Sequence, residues 1–217
     1  MSSTSVPEQG SIESVLRSTL ILLFEESEEI RSTLVPQLLA SLGGTEKFSL
    51  TSTSQVYDIV DESIHLIHGW SPDLQARFIA GHPRIGETRN LSALSSREQA
   101  GGTTTAAGGA AAPPTPPEVL QRLQHLNACY ERVYPGLRYI TFVNGRSRAV
   151  IAEEMEDKLG VVHSLLPDQP PLESLVPVQV GGPTWLAELH RAVEDVGRIA
   201  KSRLEKVDQE GLLHFAK

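Results

Sequence analysis

The sequence predicts an all-α protein, a bundle of about seven or more helices, and three observations predict it. Apolar residues recur at three- and four-residue intervals along most of the 217-residue chain. Helix-start signals stand ahead of these runs at Ser11, Ser27, Ser71 and Ser147. Only Leu137–Val143, L-R-Y-I-T-F-V, reads as a strand, and a lone strand builds no sheet. The expected organisation is one helical domain over 11–208. It carries one short extended segment, loop insertions at 101–117 and 167–183, and flexible termini at 1–10 and 209–217.

The elements follow in order. Ser11 caps a helix whose residues Ile12, Val15, Leu16, Thr19, Leu20, Leu22 and Leu23 recur close to helical period. Ser27 caps the next, with Glu28 and Glu29 in the first turn, where the helix dipole favours acid. Its stripe is Ile30, Leu34, Leu38 and Leu39, and Gly43-Gly44 stops it. Pro36 removes one backbone donor and should kink or split that helix. A third helix covers about Ser54–Trp70, and Ser71-Pro72-Asp73 starts a fourth. Pro83 disfavours helical backbone at His82, so the fourth helix should end at or before it, with Gly81 able to take a positive φ. Residues 101–117 carry no charge and no aromatic, and so cannot recover their ordering entropy by burial. Helix resumes at Pro116-Pro117-Glu118 and stops near Tyr134-Pro135-Gly136. Asn144-Gly145 signals a turn, and Ser147 caps a helix to about Leu159. Five prolines between 167 and 183 make the second loop insertion. The last helix runs from about Thr184 to Asp208.

Composition narrows the function. A net charge of -8 and a pI near 5.4 point away from nucleic acid and anionic membranes. A single cysteine, Cys129, forms no internal disulfide and suggests no metal cluster. No apolar run approaches the roughly 18 residues of a membrane span. The N-terminus does not read as a secretion signal, nor the C-terminus as a peroxisomal S-K-L address. A cytoplasmic protein is expected, with peroxisomal entry by another route left open. There is no G-x-G-x-x-G, no P-loop and no G-x-S-x-G.

Two short runs carry candidate chemistry: Ala80–Gly86, A-G-H-P-R-I-G, and Ser95–Gln99, S-S-R-E-Q. His82 should sit at a helix-to-loop corner, and Ser95 with Glu98 has the spacing of a capping box. Read blandly, His82 is a corner residue and Glu98 a cap. Read chemically, the two face each other across a cleft as an acid/base pair, each shifting the other's pKa. Extended backbone at Tyr139–Val143 could hold a planar, amide-rich ligand. Asp61, His65 and His68 share one face of the third helix, but no further ligand motif accompanies them, and they read as polar surface residues. Arg146 and Arg148 read as solvated or helix-pairing, and Arg84 and Arg97 as charges able to steer an anion.

Six blocks in order carry a family resemblance. They are L-F-E-E-S, H-P-R-I-G, L-S-x-x-S-x-x-E-Q, L-N-A-C-Y, Y-I-T-F-V-N-G-R-S and I-A-K-S-R-L, spread over most of 16–207 outside the insertions. Together they resemble the 2-oxo-4-hydroxy-4-carboxy-5-ureidoimidazoline (OHCU) decarboxylases of urate degradation. The resemblance implies an all-helical enzyme without cofactor or metal, commonly a homodimer, that converts OHCU to (S)-allantoin and carbon dioxide. It places the catalytic pair on His82 and Glu98. It places substrate contacts on Pro83, Ser95, Gln99, Tyr139, Ile140 and Arg203. Arg84-Ile85 after H-P, Asn144 before G-R-S and the insertion after E-Q depart from the commoner pattern. Two other readings stand beside this one: a non-catalytic helical binding module that keeps the fold, and a metal-dependent hydrolase using Asp61, His65 and His68.

Overall fold

The computed structural model describes residues 11–44, 50–87, 94–95, 115–164 and 166–211. Seven α-helices account for most of them, and no strand forms among the described residues. The helices are α1 (Ile12–Phe24), α2 (Val35–Ser41), α3 (Thr53–His68), α4 (Pro72–Ala80), α5 (Pro117–Val133), α6 (Arg148–Leu159) and α7 (Pro183–Gln209). Among the described residues, no helix is long and apolar enough to cross a membrane. The chain divides into two compact units, Met1–Gly81 with Val193–Lys217, and His82–Ala192.

The first unit holds α1 to α4 and the second part of α7. The Ser11 side chain accepts from Ser14 N–H at 3.2 Å and caps α1 as predicted. The predicted second helix is split. Ile30–Leu34 forms one π-helical turn and α2 begins after it, with Pro36 in its first turn. A proline is tolerated there because the first N–H groups of a helix have no partner inside it. The wider π turn absorbs the disruption the proline imposes. Ser52 and Gln55 form a full capping box for α3. Leu16, Leu20, Leu34, Leu38, Val56, Val60, Phe78, Val193, Ala200 and Leu204 are all fully buried, so the inward stripes read from spacing are the core of this unit. Phe78 packs between Phe24 and Trp70, with ring centroids 6.1 and 6.0 Å away.

The second unit joins α5 to α6 and the loops around them. Leu123, Leu126 and Tyr130 of α5 and Ile151 and Met155 of α6 are fully buried. The two helices pack together and are clasped by Arg122, whose guanidinium donates to Glu156 at 2.5 and 2.7 Å. The same guanidinium reaches the carbonyls of Leu166 and Gln169. His125 meets the carbonyl of Pro170 at 2.9 Å, and Val178 N–H donates to Val133 O at 2.9 Å. The proline-rich segment holds one short 3-10 turn, Leu172–Ser174, and is laid down on α5. Of the first insertion, 101–114 lies outside the described residues, and Pro117 opens α5.

Candidate functional site

Pro83 has the effect expected of it: α4 ends at Ala80 and His82 stands beyond the last turn. Gly81 does not take a positive φ. It is right-handed, φ -68° and ψ -21°. The need for glycine there is spatial, since a Cβ would meet Ser27 Cβ at 3.1 Å and the Phe78 carbonyl at 3.2 Å. His82 is 4% exposed.

Within the second unit, the residues from His82 to Glu87 are fixed at several points. Arg138 donates through Nη1 to the His82 carbonyl. The Arg84 N–H donates to Glu87 Oε2 at 2.9 Å, and Asn127 Nδ2 donates to the Ile85 carbonyl at 2.9 Å. Gly86 does adopt a positive φ, +80°, and a Cβ there would lie 3.1 Å from Leu123 Cδ1. Only glycine meets both demands. Pro83 is half-buried beside His82.

Arg84 does not present a free cation. Its guanidinium makes a two-pronged contact with Glu131, 2.6 and 3.1 Å, which raises its pKa. An arginine whose charge is matched by a carboxylate steers an anion poorly, so the steering role expected of it is not supported. Arg138 is pushed the other way. Burial lowers its pKa, and the charge of Arg84 lowers it further.

Tyr139 and Ile140 lie in the irregular segment between α5 and α6, in neither helix nor strand, and both are buried. Their surroundings differ from the expectation of carbonyls awaiting a ligand. Arg191 Nη1 donates to the Ile140 carbonyl at 2.8 Å, and its guanidinium carbon stands 5.4 Å from the centroid of the Tyr139 ring. Arg146, expected to be solvated or helix-pairing, pairs with Glu154 of α6 and also folds back on the segment. It donates to the carbonyls of Phe142 and Val143 and to Thr141 Oγ1. Arg148 is buried rather than solvated. The short run has no partner strand, so arginine side chains supply the hydrogen bonds a strand would have supplied.

Arg191 is itself held. It contacts both oxygens of Glu188, with Nη2 at 2.6 Å from Oε1. Glu188 is 5% exposed and also accepts from Tyr130 Oη at 2.7 Å and Lys158 Nζ at 2.6 Å. Burial alone would raise the Glu188 pKa, but Arg191, Lys158 and Tyr130 more than offset it and hold it below the ordinary value. Burial and then the Glu188 charge push the Tyr130 phenol far up. The Tyr130 ring stands edge-on to Tyr139, centroids 5.2 Å apart.

Ser95 is fully buried, and both Leu94 and Ser95 are helical. Ser95 therefore lies within helical backbone and is not its cap, because a capping residue has extended backbone. Glu98 and Gln99 lie outside the described residues. Arg203 belongs to the first unit and is 2% exposed. It pairs with Glu25 Oε1 at 2.7 Å and donates to the Leu23 carbonyl at 3.2 Å. The L-F-E-E-S block and the I-A-K-S-R-L block thus meet through Glu25 and Arg203.

Among the described residues, no three His, Cys, Asp or Glu are placed to hold a metal. Asp61 pairs with Lys201 at 2.5 Å and His68 with Glu194 at 2.8 Å. Cys129 is buried, and burial raises its pKa, which disfavours the reactive thiolate. A cavity of about 210 Å³ lined by Val119, Arg122, Ala152, Glu156, His163 and Ser164 contains none of the predicted site residues.

Three residues that organise this region escaped the sequence reading: Arg138, Glu188 and Arg191. Arg138 had a local signal, a lone charge in an otherwise apolar extended run. Glu188 and Arg191 have i, i+3 spacing on a helix, which resembles any exposed helical ion pair.

A family model described as OHCU decarboxylase matches residues 13–164. No curated protein and no solved structure matches the chain.

Proposed function

The chain belongs to the OHCU decarboxylase family, and from that premise we propose that it converts OHCU to (S)-allantoin and carbon dioxide. The observation that carries this reading is the extent of the family match. Residues 13–164 include the H-P-R-I-G, S-x-x-E-Q and Y-I-T-F-V blocks together. The family acts as decarboxylases in urate degradation. The exact reaction and the roles of individual residues are our assignment.

The reaction requires little beyond orientation and proton control. The bond from ring carbon to carboxylate breaks, and its electron pair passes into the ring C=N system. The hydroxyl on the same carbon releases its proton as the carbonyl forms. The ring carbon bearing the ureido group takes up a proton, and so does the ring nitrogen of the former C=N bond. One of the two comes from the hydroxyl and the other from solvent. The ring is the electron sink, so the chain's task is to hold the carboxylate out of the ring plane and protonate one face. His82 suits the hydroxyl proton, since imidazole changes protonation near neutral pH. Glu98 is assigned as its partner in proton transfer. Pro83, Ser95 and Gln99 are assigned to contact substrate. The Tyr139–Ile140 backbone is assigned to the amide-like edge of the ring: the Ile140 carbonyl has a second lone pair beyond the one Arg191 uses. Arg203 is assigned to the substrate's anionic group, although it lies beyond the matched residues and already pairs with Glu25.

Steady-state kinetics of His82→Ala and Glu98→Gln test the acid/base assignment. Each should lower kcat about 100-fold or more, the usual scale for a positioned proton donor or acceptor. Wild-type kcat and stereoselectivity in His82→Ala would overturn it.

A further inference from the structure

We propose that Arg191 is the positioning residue of the ring-binding segment. It holds the Tyr139–Ile140 backbone in the geometry that substrate meets. The inference rests on the assignment of that segment to substrate and extends it to a side chain from a distant helix. Five contacts carry it. The Arg191 fork takes the Ile140 carbonyl at 2.8 Å on one side and both Glu188 oxygens on the other. Its flat face lies over the Tyr139 ring at 5.4 Å. Tyr139 also packs edge-on against Tyr130, whose hydroxyl is bonded to the same Glu188 carboxylate.

The segment needs such a support. It belongs to no helix and, among the described residues, has no strand beside it, so no ladder of backbone hydrogen bonds fixes its course. A planar ring read by backbone groups requires those groups to be placed within a fraction of an ångström. Arg191 is suited to this where lysine is not. A guanidinium donates in two directions at once and stacks on an aromatic face, whereas an ammonium is a compact point charge. Glu188 in turn is a fixed base for Arg191. It is 5% exposed and bonded to Lys158 and Tyr130 as well, so it cannot swing away. The chain of support runs from α5 and α6 through Glu188 and Arg191 to the segment, all within residues 82–192.

The test is Arg191→Lys, which keeps the positive charge beside Glu188 and so spares the fold, with Arg191→Met as the stronger change. Two quantities are read on the full-length chain. Amide hydrogen exchange over 139–143 should quicken about tenfold in Arg191→Lys, with the amides of α1 and α3 unchanged. KM for OHCU should rise on the order of tenfold with a smaller change in kcat, the scale of one lost hydrogen bond to a charged group. Unchanged exchange over 139–143 in both variants overturns the positioning role of Arg191. Quickened exchange with wild-type KM overturns the assignment of the segment to substrate, and with it this inference. A wild-type chain that leaves OHCU to its spontaneous decay overturns the proposed reaction itself, a result kept distinct because exchange is read without substrate.

Discussion

Replacing Glu25 by Gln should destabilise the first unit more than a surface change would. The Arg203–Glu25 pair is 2.7 Å long, with side chains 3% and 10% exposed. Glu25→Gln preserves shape and keeps the left-handed backbone at φ +69° unchanged, so only the charge is removed. The guanidinium is then left buried without its carboxylate, which costs about 3–5 kcal/mol when one member of a buried pair is deleted. For a chain of this length each kcal/mol moves Tm by roughly 2–4 °C, so the midpoint should fall by about 6–20 °C. Arg203→Met should lose somewhat more, because the bond to the Leu23 carbonyl at the end of α1 goes as well. The double variant Arg203→Met/Glu25→Gln should be less destabilised than the sum of the two singles, by about 2 kcal/mol, since neither leaves the other's charge stranded. Thermal and urea unfolding of the four proteins measure this. A Glu25→Gln midpoint within about 2 °C of wild type, or strict additivity in the double variant, would refute the reasoning.

Two further outcomes follow from single sites. Gly86→Ala should lower stability by about 2–4 kcal/mol in urea unfolding, combining a positive φ with a contact 3.1 Å from Leu123; a loss below about 0.5 kcal/mol would mean that the turn relaxes freely. Two groups of one cluster should contribute to the acid and alkaline limbs of stability against pH. Glu188 has a folded pKa below its ordinary 4.5, so its contribution is full above that value and is lost as pH falls through the lowered pKa. Tyr130 has a folded pKa above its ordinary 10.0, so stability falls as pH rises past 10. Glu188→Gln should flatten the acid limb and Tyr130→Phe the alkaline limb. Limbs unchanged in both variants would remove the cluster from the account.

The helices were legible because spacing and caps are local. Ser11, Ser71 and Ser147 each cap the helix that follows and Ser27 Oγ accepts from Ile30 N–H at 3.3 Å, as read from the sequence, whereas Ser52, the cap of α3, was not singled out. Pro36 announced a break, but the form it takes, a π turn before α2, depends on how that turn packs. Gly81 illustrates the limit of local reading. The sequence suggested conformational freedom, while the reason for glycine is its approach to Ser27, fifty-odd residues earlier. The arginines show the same limit more strongly. Arg146 and Arg191 look like surface charges until the segment they hydrogen-bond is seen beside them. Arg203 was found only through resemblance, and its contact with Glu25 joins two blocks about 180 residues apart. The His82 corner was legible because His-Pro is a backbone instruction as well as a chemical one.

The central claim is stereospecific decarboxylation of OHCU by this chain. Circular dichroism of the allantoin formed from freshly generated OHCU tests it most directly, with wild type and His82→Ala compared against spontaneous decay. The account predicts a rapid (S)-allantoin signal with wild type that His82→Ala loses. A slow, racemic product with wild type would contradict it.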